Sequence, residues 1–344
     1  MPDLRETHIL DRGHYENRGE VVNRATPAVL TPFPDGAPLD RLGLARWLTS
    51  SDHPLLARVT VNRYWQMIFG RGLVSTSEDF GMQGKPPSHP ELLDWLARDF
   101  VKSGWNLHHL LKKMVLSHTY RQESKILPNA QEIDPENLLL SRAPAYRLPA
   151  EMIRDSLLAH SGLLHKKIGG PGAKPYDLKV SFKPINPDGA PNVYRRSVYT
   201  FWKRTGPTPV MMALDASKRD VCTVRRERTD SASQALIMLN GTQFVETARA
   251  TADILIQNHG TTNPNDLIQE AFKKLTSRSP SEQESKILQN LLEEQKKYFT
   301  DDKETEKFLK VGYYQAKAKD KKYLAAVTSL VSTLMNFDGT LSKR

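Results

Sequence analysis

The stretch that decides the fold runs from residue 54 to residue 105 and reads PLLARVTVNRYWQMIFGRGLVSTSEDFGMQGKPPSHPELLDWLARDFVKSGW. Over residues 55–69, apolar side chains fall on every side of a helical projection, which predicts a helix that is buried all round. Asn62 and Arg63 would then lie among apolar neighbours. Because a buried charge without a partner is strongly disfavoured, both side chains are expected to have polar partners.

The second half of this stretch predicts another helix. Ser88 and Glu91 have the spacing of a capping box, Pro90 suits the first turn, and Gly104 suits the C-terminal end. One apolar stripe then covers residues 92–100, and a second covers residues 107–115. Together the two stripes predict an antiparallel helical pair.

Helix signals recur along the rest of the chain. Capping side chains, prolines and apolar periodicity predict helices after Asp40, Pro149, Asp230, Pro264 and Pro280, and over residues 321–336. The β content is small: an N-terminal arm containing THIL, and a strand near residues 194–202 with alternating faces. The predicted fold class is therefore mainly α, a bundle-like array of many helices with a minor β component.

The same signals divide the chain into four parts. Residues 1–40 are expected to form an extended arm with short strands. Residues 41–168 form a helical subdomain that carries the NRYW, FGRGL and SHPELLDWLA segments. Residues 169–228 form a turn-rich middle with the basic and aromatic strand, and residues 229–344 form a C-terminal helical subdomain.

The composition narrows the classes of function. Hydrophobic residues make up 39% of the 344 residues and charged residues 26%, as in soluble globular proteins. The net charge of +10 favours polyanionic partners, namely nucleic acid, acidic polysaccharide or an anionic surface. No apolar run approaches the roughly 20 residues of a membrane span. The single cysteine excludes an internal disulfide and a CxxCH haem-attachment site, so no cofactor is expected in this chain.

No motif predicts a reaction. HxxxH, HExxH and CxxC patterns are missing from the sequence, so no metal site is expected. GxSxG, Walker A and GxGxxG patterns are missing as well. The catalytic residues, if there are any, stay unknown at this point, and the sequence leans away from an enzyme.

A first group of polar residues near the opening stretch is a candidate ligand-binding site. An arginine there can donate two parallel hydrogen bonds to an anionic ligand. The alternative, which we favour, is a structural network in which Arg63 pairs with Asp79, Asp94 or Asp155 and joins the helices. The residues of this first group are Asn62, Arg63, Arg71 and Asp79.

A second group lies in the turn-rich middle. Basic and aromatic residues alternate there, which suits stacking on a base or a sugar while neutralising anions. A plain amphipathic strand is the alternative, and Asp215 with Arg219 would complete a polar cleft. The residues of this second group are Arg195, Arg196, Trp202, Asp215 and Arg219.

Several long fragments also carry a resemblance to a known family. They include VNRYWQMIFGRGLVSTSEDFG, PPSHPELLDWLARDFVKSGWNLHHLLKKMVLSHTYRQES, DPENLLLSRAPAYRLPAEMIRDSLLA, YRRSVYTFWKR and RRERTDSASQALIMLNGTQFVETARATA. In this order, they resemble the C-terminal domain of unknown function of the planctomycete cytochrome c-domain-containing proteins. These are envelope proteins of planctomycetes and verrucomicrobia. Two stretches depart from the family pattern: residues 221–224 and residues 336–339.

The resemblance implies a periplasmic or cell-envelope location, with haem c only in an upstream domain of longer relatives. It supplies no catalytic residues. The opening MPDLRETHIL shows no signal peptide, so a cytoplasmic location is expected if Met1 is the true start.

The leading hypothesis is a non-catalytic binding module of a cytochrome c-associated envelope protein, with an acidic polysaccharide, a protein partner or the upstream haem domain as its partner. An enzyme that acts on polysaccharide through an Asp or Glu pair is the alternative, and only a structure can measure the separation of such a pair. Nucleic-acid binding is a second alternative, disfavoured because no helix-turn-helix, RNP or zinc-finger signature is present.

Overall fold

The computed structural model describes residues 5–126, 128–176, 184–204, 206–260 and 263–343. Within these residues it contains fifteen α-helices and two small two-stranded sheets, so the predicted fold class is confirmed. The chain divides into two compact units, Met1–Ala143 and Pro144–Arg344. The four-part division of the sequence stays a prediction.

Unit 1 begins with an antiparallel hairpin and continues with helices. The strands are β1 (Thr7–Leu10) and β2 (Arg18–Val22). The core of the unit forms where α2, α3 and α4 pack together. The helices are α1 (Arg41–Leu48), α2 (Leu56–Phe69), α3 (Pro90–Lys102), α4 (Leu107–Leu116), α5 (His118–Arg121) and α6 (Pro128–Ile133).

Helix α2 is buried on one side only. Val61, Trp65 and Phe69 lie in the core, and Arg63 and Met67 are exposed. The expectation of burial all round is therefore wrong. Because α3 and α4 cover only one face of α2, the charged side chain of Arg63 on the opposite face stays in water and keeps its solvation.

The predicted capping box of α3 is also wrong. Pro90 takes the first helical position, so the residue at the N-cap is His89. Glu91 then falls one residue short of the position that a capping box requires. The Ser88 hydroxyl lies 3.0 Å from Nδ1 of His89 instead.

Unit 2 is built around the contact between α10 and α14. Alanines at the contact, including Ala248, Ala252, Ala325 and Ala326, are fully buried and allow the two backbones to approach closely. The helix predicted over residues 321–336 is confirmed as α14. Strands β3 (Tyr146–Arg147) and β4 (Ser342–Lys343) pair antiparallel. The helices are α7 (Ala150–His160), α8 (Pro209–Ala213), α9 (Ala232–Asn240), α10 (Thr242–His259), α11 (Pro264–Thr276), α12 (Glu282–Tyr298), α13 (Asp302–Leu309), α14 (Lys321–Met335) and α15 (Asp338–Leu341).

The strand predicted over residues 194–202 is wrong. Two short 3-10 turns, Asn192–Tyr194 and Ser197–Tyr199, occupy this region, joined to neighbouring coil by isolated bridges. Side chains of α7 form hydrogen bonds with the backbone groups that a β-strand would use to pair with a neighbouring strand. The Ser197 N–H donates to Asp155, and Arg154 donates to the Val193 carbonyl. The predicted alternation of faces is wrong as well, because Val198 is 70% exposed and Thr200 is 5% exposed, although both belong to one predicted face.

Candidate functional site

In the first candidate group, Asn62 is a buried structural residue. Its Oδ1 accepts the Val74 N–H at 2.8 Å, and its Nδ2 donates to the Val74 carbonyl at 3.0 Å. A Cβ at Gly72 would lie 2.7 Å from that Nδ2, so the glycine makes room for the amide. Asn62 therefore holds the loop that follows α2, and it has the polar partners that the sequence predicted.

Among the described residues, the other three members of the first group share no interaction partner. Arg63 is exposed, and Arg71 forms an exposed ion pair of 2.7 Å with Glu136. Asp79 accepts the N–H of Gly81 at 2.7 Å within a turn. Across the described part of unit 1, no hydrogen bond or ion pair joins the four candidate side chains to one another.

Asp94, which was expected as a possible partner of Arg63, pairs with Arg58 at 2.6 Å. The hydrogen bond from Arg58, against the effect of burial, lowers the pKa of Asp94. This ion pair links α2 to α3 at a half-exposed position.

In the second candidate group, Arg195 is only 4% exposed. Its guanidinium donates to the carbonyls of Gly169 at 2.6 Å and Pro171 at 2.8 Å. The same group stacks over the ring of Tyr199 at 4.2 Å. Arg195 thus shapes the glycine-rich turn around residues 167–171 and is closed to a ligand, whereas its neighbour Arg196 is exposed.

Sequence reasoning missed Arg154, which is the most buried cation among the residues that the structure describes. Its guanidinium donates at 2.8 Å to the carbonyls of Val193 and Arg195 and to Oε1 of Gln243. Burial lowers the pKa of Arg154 to about 10, against the opposing effect of Asp155, so the group stays charged at neutral pH. The available signal was its place four residues after Ala150 on the apolar face of α7.

A charged stripe on α10 was missed as well. Glu246 accepts the Tyr194 hydroxyl at 2.6 Å and the Tyr314 N–H at 2.7 Å. Arg249 donates to the Val311 and Tyr314 carbonyls, both at 2.7 Å. Arg249 and Asp253 follow Glu246 by three and seven residues, so the three side chains lie on the same face of α10. This spacing is the signal that the sequence carries.

Asp253 completes this stripe and is fully buried. Its carboxylate accepts the N–H groups of Lys317 at 2.9 Å and Ala318 at 2.8 Å, and the Tyr314 hydroxyl at 2.7 Å. Burial alone would raise its pKa, but these hydrogen bonds together lower it. Residues 311–318, called here the α10 coil, are therefore held to α10 along their whole length.

The segment from residue 215 to residue 229, called here the basic loop, is tied at its two ends. Oδ2 of Asp215 accepts the N–H and the hydroxyl of Thr229, both at 2.7 Å, and Nε2 of Gln234 at 3.1 Å. Burial raises the pKa of Asp215, but the hydrogen bonds from Thr229 and Gln234 outweigh it and lower the pKa. Asp215 therefore stays ionised and closes the loop.

Between these ends the basic loop carries five basic and two acidic residues. The Arg219 guanidinium lies 4.5 Å above the ring of Trp202, which packs against the core of unit 2. Arg226 pairs with Glu151 at 2.6 Å. Lys218 and Arg225 are exposed, and neither forms an ion pair with any residue that the structure describes.

The structure thus brings together two members of the second group, Trp202 and Arg219. Asp215 binds Thr229 and Gln234 instead, and Arg195 serves the glycine-rich turn. In the described ranges, Arg196 makes no hydrogen bond or ion pair with Trp202, Asp215 or Arg219. The chemistry of this surface is an array of cations beside an indole ring, which suits a polyanion with hydroxyl or ring faces.

The described residues include no group of three or more His, Cys, Asp or Glu side chains able to hold a metal ion. In the same ranges, no helix combines the length and the apolar character needed to cross a membrane.

A match to a protein-family model shows the family of this chain. The model of the family described as PSD1, Protein of unknown function (DUF1553), matches residues 40–292. The chain belongs to this family. The DUF1553 match starts at the N-cap of α1 and ends within α12, so it includes both the loop after α2 that Asn62 holds and the basic loop. No curated protein and no solved structure matches the chain.

Proposed function

We propose that this DUF1553 protein is a non-catalytic binding module of the cell envelope that recognises acidic polysaccharide through the basic loop. The observation that carries the proposal is the group of exposed cations on a loop whose ends are fixed. Lys218 and Arg225 have no carboxylate partner among the described side chains, and Arg219 lies over the Trp202 ring.

Unpaired surface cations favour a polyanion because bringing it close releases counterions and requires no internal ion pair to break. The Asp215–Thr229 hydrogen bonds limit the conformations of the loop before binding, which reduces the entropy lost on association. The indole of Trp202 adds an apolar ring face beside the charge. These three properties together support an extended, sugar-based polyanion.

The carboxylates support binding rather than hydrolysis. A glycosidase needs a general acid whose pKa is raised so that it holds a proton. The pKa of Asp215 is instead lowered by its hydrogen bonds. Asp79 is engaged by the Gly81 N–H in a turn. Both carboxylates are occupied in holding backbone, which favours a structural role for them.

The resemblance of the sequence to the domains of cytochrome c-associated proteins supports an envelope location for the module. A haem domain of a longer relative would be a second partner, beside the polysaccharide. Fractionation of source cells, with haem staining of the band that carries this chain, tests that part of the proposal. A haem-free cytoplasmic band would contradict the envelope location.

The binding itself is tested by calorimetry of the full chain with polygalacturonate at 50 and 200 mM NaCl. We expect saturable binding that weakens at higher salt, and a loss of about tenfold or more for the triple variant K218S/R219S/R225S. The control variant K286S/K303S/K307S removes the same charge from exposed lysines elsewhere in unit 2. Equal losses in the two variants, or no binding at 50 mM, would refute the proposal. Equal binding of a DNA oligonucleotide would show a general polyanion site.

A further inference from the structure

One face of α4 in unit 1 forms a shallow basic depression of about 410 Å³. Its lining residues are spaced by three and four positions, so they share one side of the helix. No residue of the basic loop belongs to this depression. The lining residues are His109, Lys112, Lys113, Leu116 and Ser117.

Two of the lining side chains are held in place by Asp99 of α3. Its carboxylate lies 2.7 Å from Nζ of Lys113 and 2.9 Å from Nε2 of His109. The Lys113 ammonium also lies 4.5 Å above the ring of Trp95. The cation of Lys113 is therefore fixed between a carboxylate and an indole.

The contacts fix the hydrogen-bond roles of Asp99 and His109. The hydrogen bond from Lys113, opposed by burial and aided by His109, lowers the pKa of Asp99. An ionised Asp99 accepts a hydrogen bond from the Nε2–H group of His109. In a neutral ring this leaves Nδ1 with a lone pair. The depression thereby offers an acceptor for a hydroxyl group beside its ammonium groups.

The rest of the depression is cationic and apolar. Lys112 is exposed, and the described residues include no carboxylate paired with it. The side chain of Leu116 is 60% exposed. Trp95 is not one of the lining residues, but its ring contacts the Lys113 ammonium beside the depression and is 54% exposed. A small inorganic anion would use the ammonium group alone and would leave the ring, the leucine and the imidazole without a role.

We infer that this depression binds a single uronic-acid residue of an acidic polysaccharide. The sugar carboxylate pairs with Lys112, a ring hydroxyl donates to Nδ1 of His109, and the C–H face of the sugar packs on Leu116 and the exposed part of Trp95. The inference deepens the proposed function and rests on it for the class of ligand, but it adds a second contact point in the other unit.

Calorimetry of the full chain with trigalacturonate tests the inference. We expect binding that falls about fivefold or more in Lys112→Ala and in Trp95→Ala, and stays unchanged in the control Lys85→Ala, an exposed lysine of unit 1 outside the depression. Maltotriose, which lacks the carboxylate, should not compete, and neither should inorganic sulfate at equal concentration.

Wild-type affinity in both Lys112→Ala and Trp95→Ala would overturn the inference, as would full displacement of trigalacturonate by sulfate. Because Lys112 is exposed, its variant is expected to fold even where Trp95→Ala does not. The loop variant K218S/R219S/R225S separates the two proposals. If this variant binds polygalacturonate as the wild type does while Lys112→Ala does not, the proposal for the basic loop is refuted and the inference about the depression is supported.

Discussion

The α10 coil and the basic loop are both irregular segments of unit 2 anchored by carboxylates, yet their anchors are placed differently. In the coil, Glu246 and Asp253 bind backbone N–H groups along the segment, and Arg249 binds its carbonyls. In the basic loop, Asp215 joins the two ends. Anchors inside a segment make it part of the core, whereas an anchor at its ends leaves its middle exposed to a ligand.

This comparison predicts the largest loss of stability when Asp253, the most deeply buried anchor of the α10 coil, is removed. Asp253→Ala leaves two backbone N–H groups and the Tyr314 hydroxyl without their acceptor, and should cost about 3–5 kcal/mol of unfolding free energy. Urea unfolding measures it. Asp220→Ala, an exposed aspartate of the basic loop, is the control and should change stability by less than about 0.5 kcal/mol. A loss below about 1 kcal/mol in Asp253→Ala would mean that the coil is not held as described.

The closeness of the coil to α10 can be tested from the coil side. Gly312 has φ +69°, and a Cβ there would lie 2.1 Å from the Glu246 carboxyl carbon. Gly312→Ala should therefore cost about 2–4 kcal/mol, from backbone strain together with displacement of the carboxylate. Gly104→Ala is the control, since Gly104 has φ +71° and open space around it. Equal losses in the two variants would show that strain alone acts at position 312.

The end anchor of the basic loop should matter less. Asp215→Asn should cost about 1–2 kcal/mol, because the amide accepts hydrogen bonds more weakly than the carboxylate. The folded-state pKa of Asp215 is lowered, so its contribution is present above the unfolded-state pKa and is lost as the pH falls through the folded-state pKa. Urea unfolding of both proteins across pH 2–6 should show the difference shrinking as the solution becomes more acidic. A difference that does not change with pH would contradict the lowered pKa.

The exposed middle of the loop should matter least to stability and most to binding. Arg219→Ser should change the unfolding free energy by less than about 1 kcal/mol, the size of an exposed cation–π contact. Its affinity for polygalacturonate should fall several-fold. Arg219→Lys keeps the charge but loses the planar stacking on Trp202. Its affinity for polygalacturonate should therefore lie between those of the wild type and Arg219→Ser. If Arg219→Ser instead lowered the unfolding free energy by more than about 1 kcal/mol and kept the wild-type affinity, the roles assigned to the loop and the coil would be reversed.

The fold could be predicted where local spacing decides it. The helix at residues 321–336 follows from an apolar stripe, and the one after Asp40 from a capping carboxylate that accepts the Gly43 N–H. The need for polar partners at Asn62 followed from its apolar neighbours. Burial of Arg63 was predicted wrongly, because a helical projection cannot say which face another helix covers.

The anchors themselves could not be predicted. Arg154 finds its carbonyl partners 39 and 41 residues along the chain, and Asp253 finds its N–H partners 64 and 65 residues away. These partners are backbone groups of irregular segments, which carry no side-chain pattern to reveal them. Among the candidate site residues, Trp202 and Arg219 lie in contact, because they flank the same short helix α8.

The fit between Asn62 and Gly72 places a condition on how this family can diverge. A side chain at position 72 would collide with the amide of Asn62 and also with the Val74 carbonyl, 2.6 Å from its Cβ. A mutation at one position is therefore tolerated only after the loop has found another path across α2. In an alignment of DUF1553 sequences, positions 62 and 72 should change together or not at all, so the pair would trace lineages in which this loop has been rebuilt.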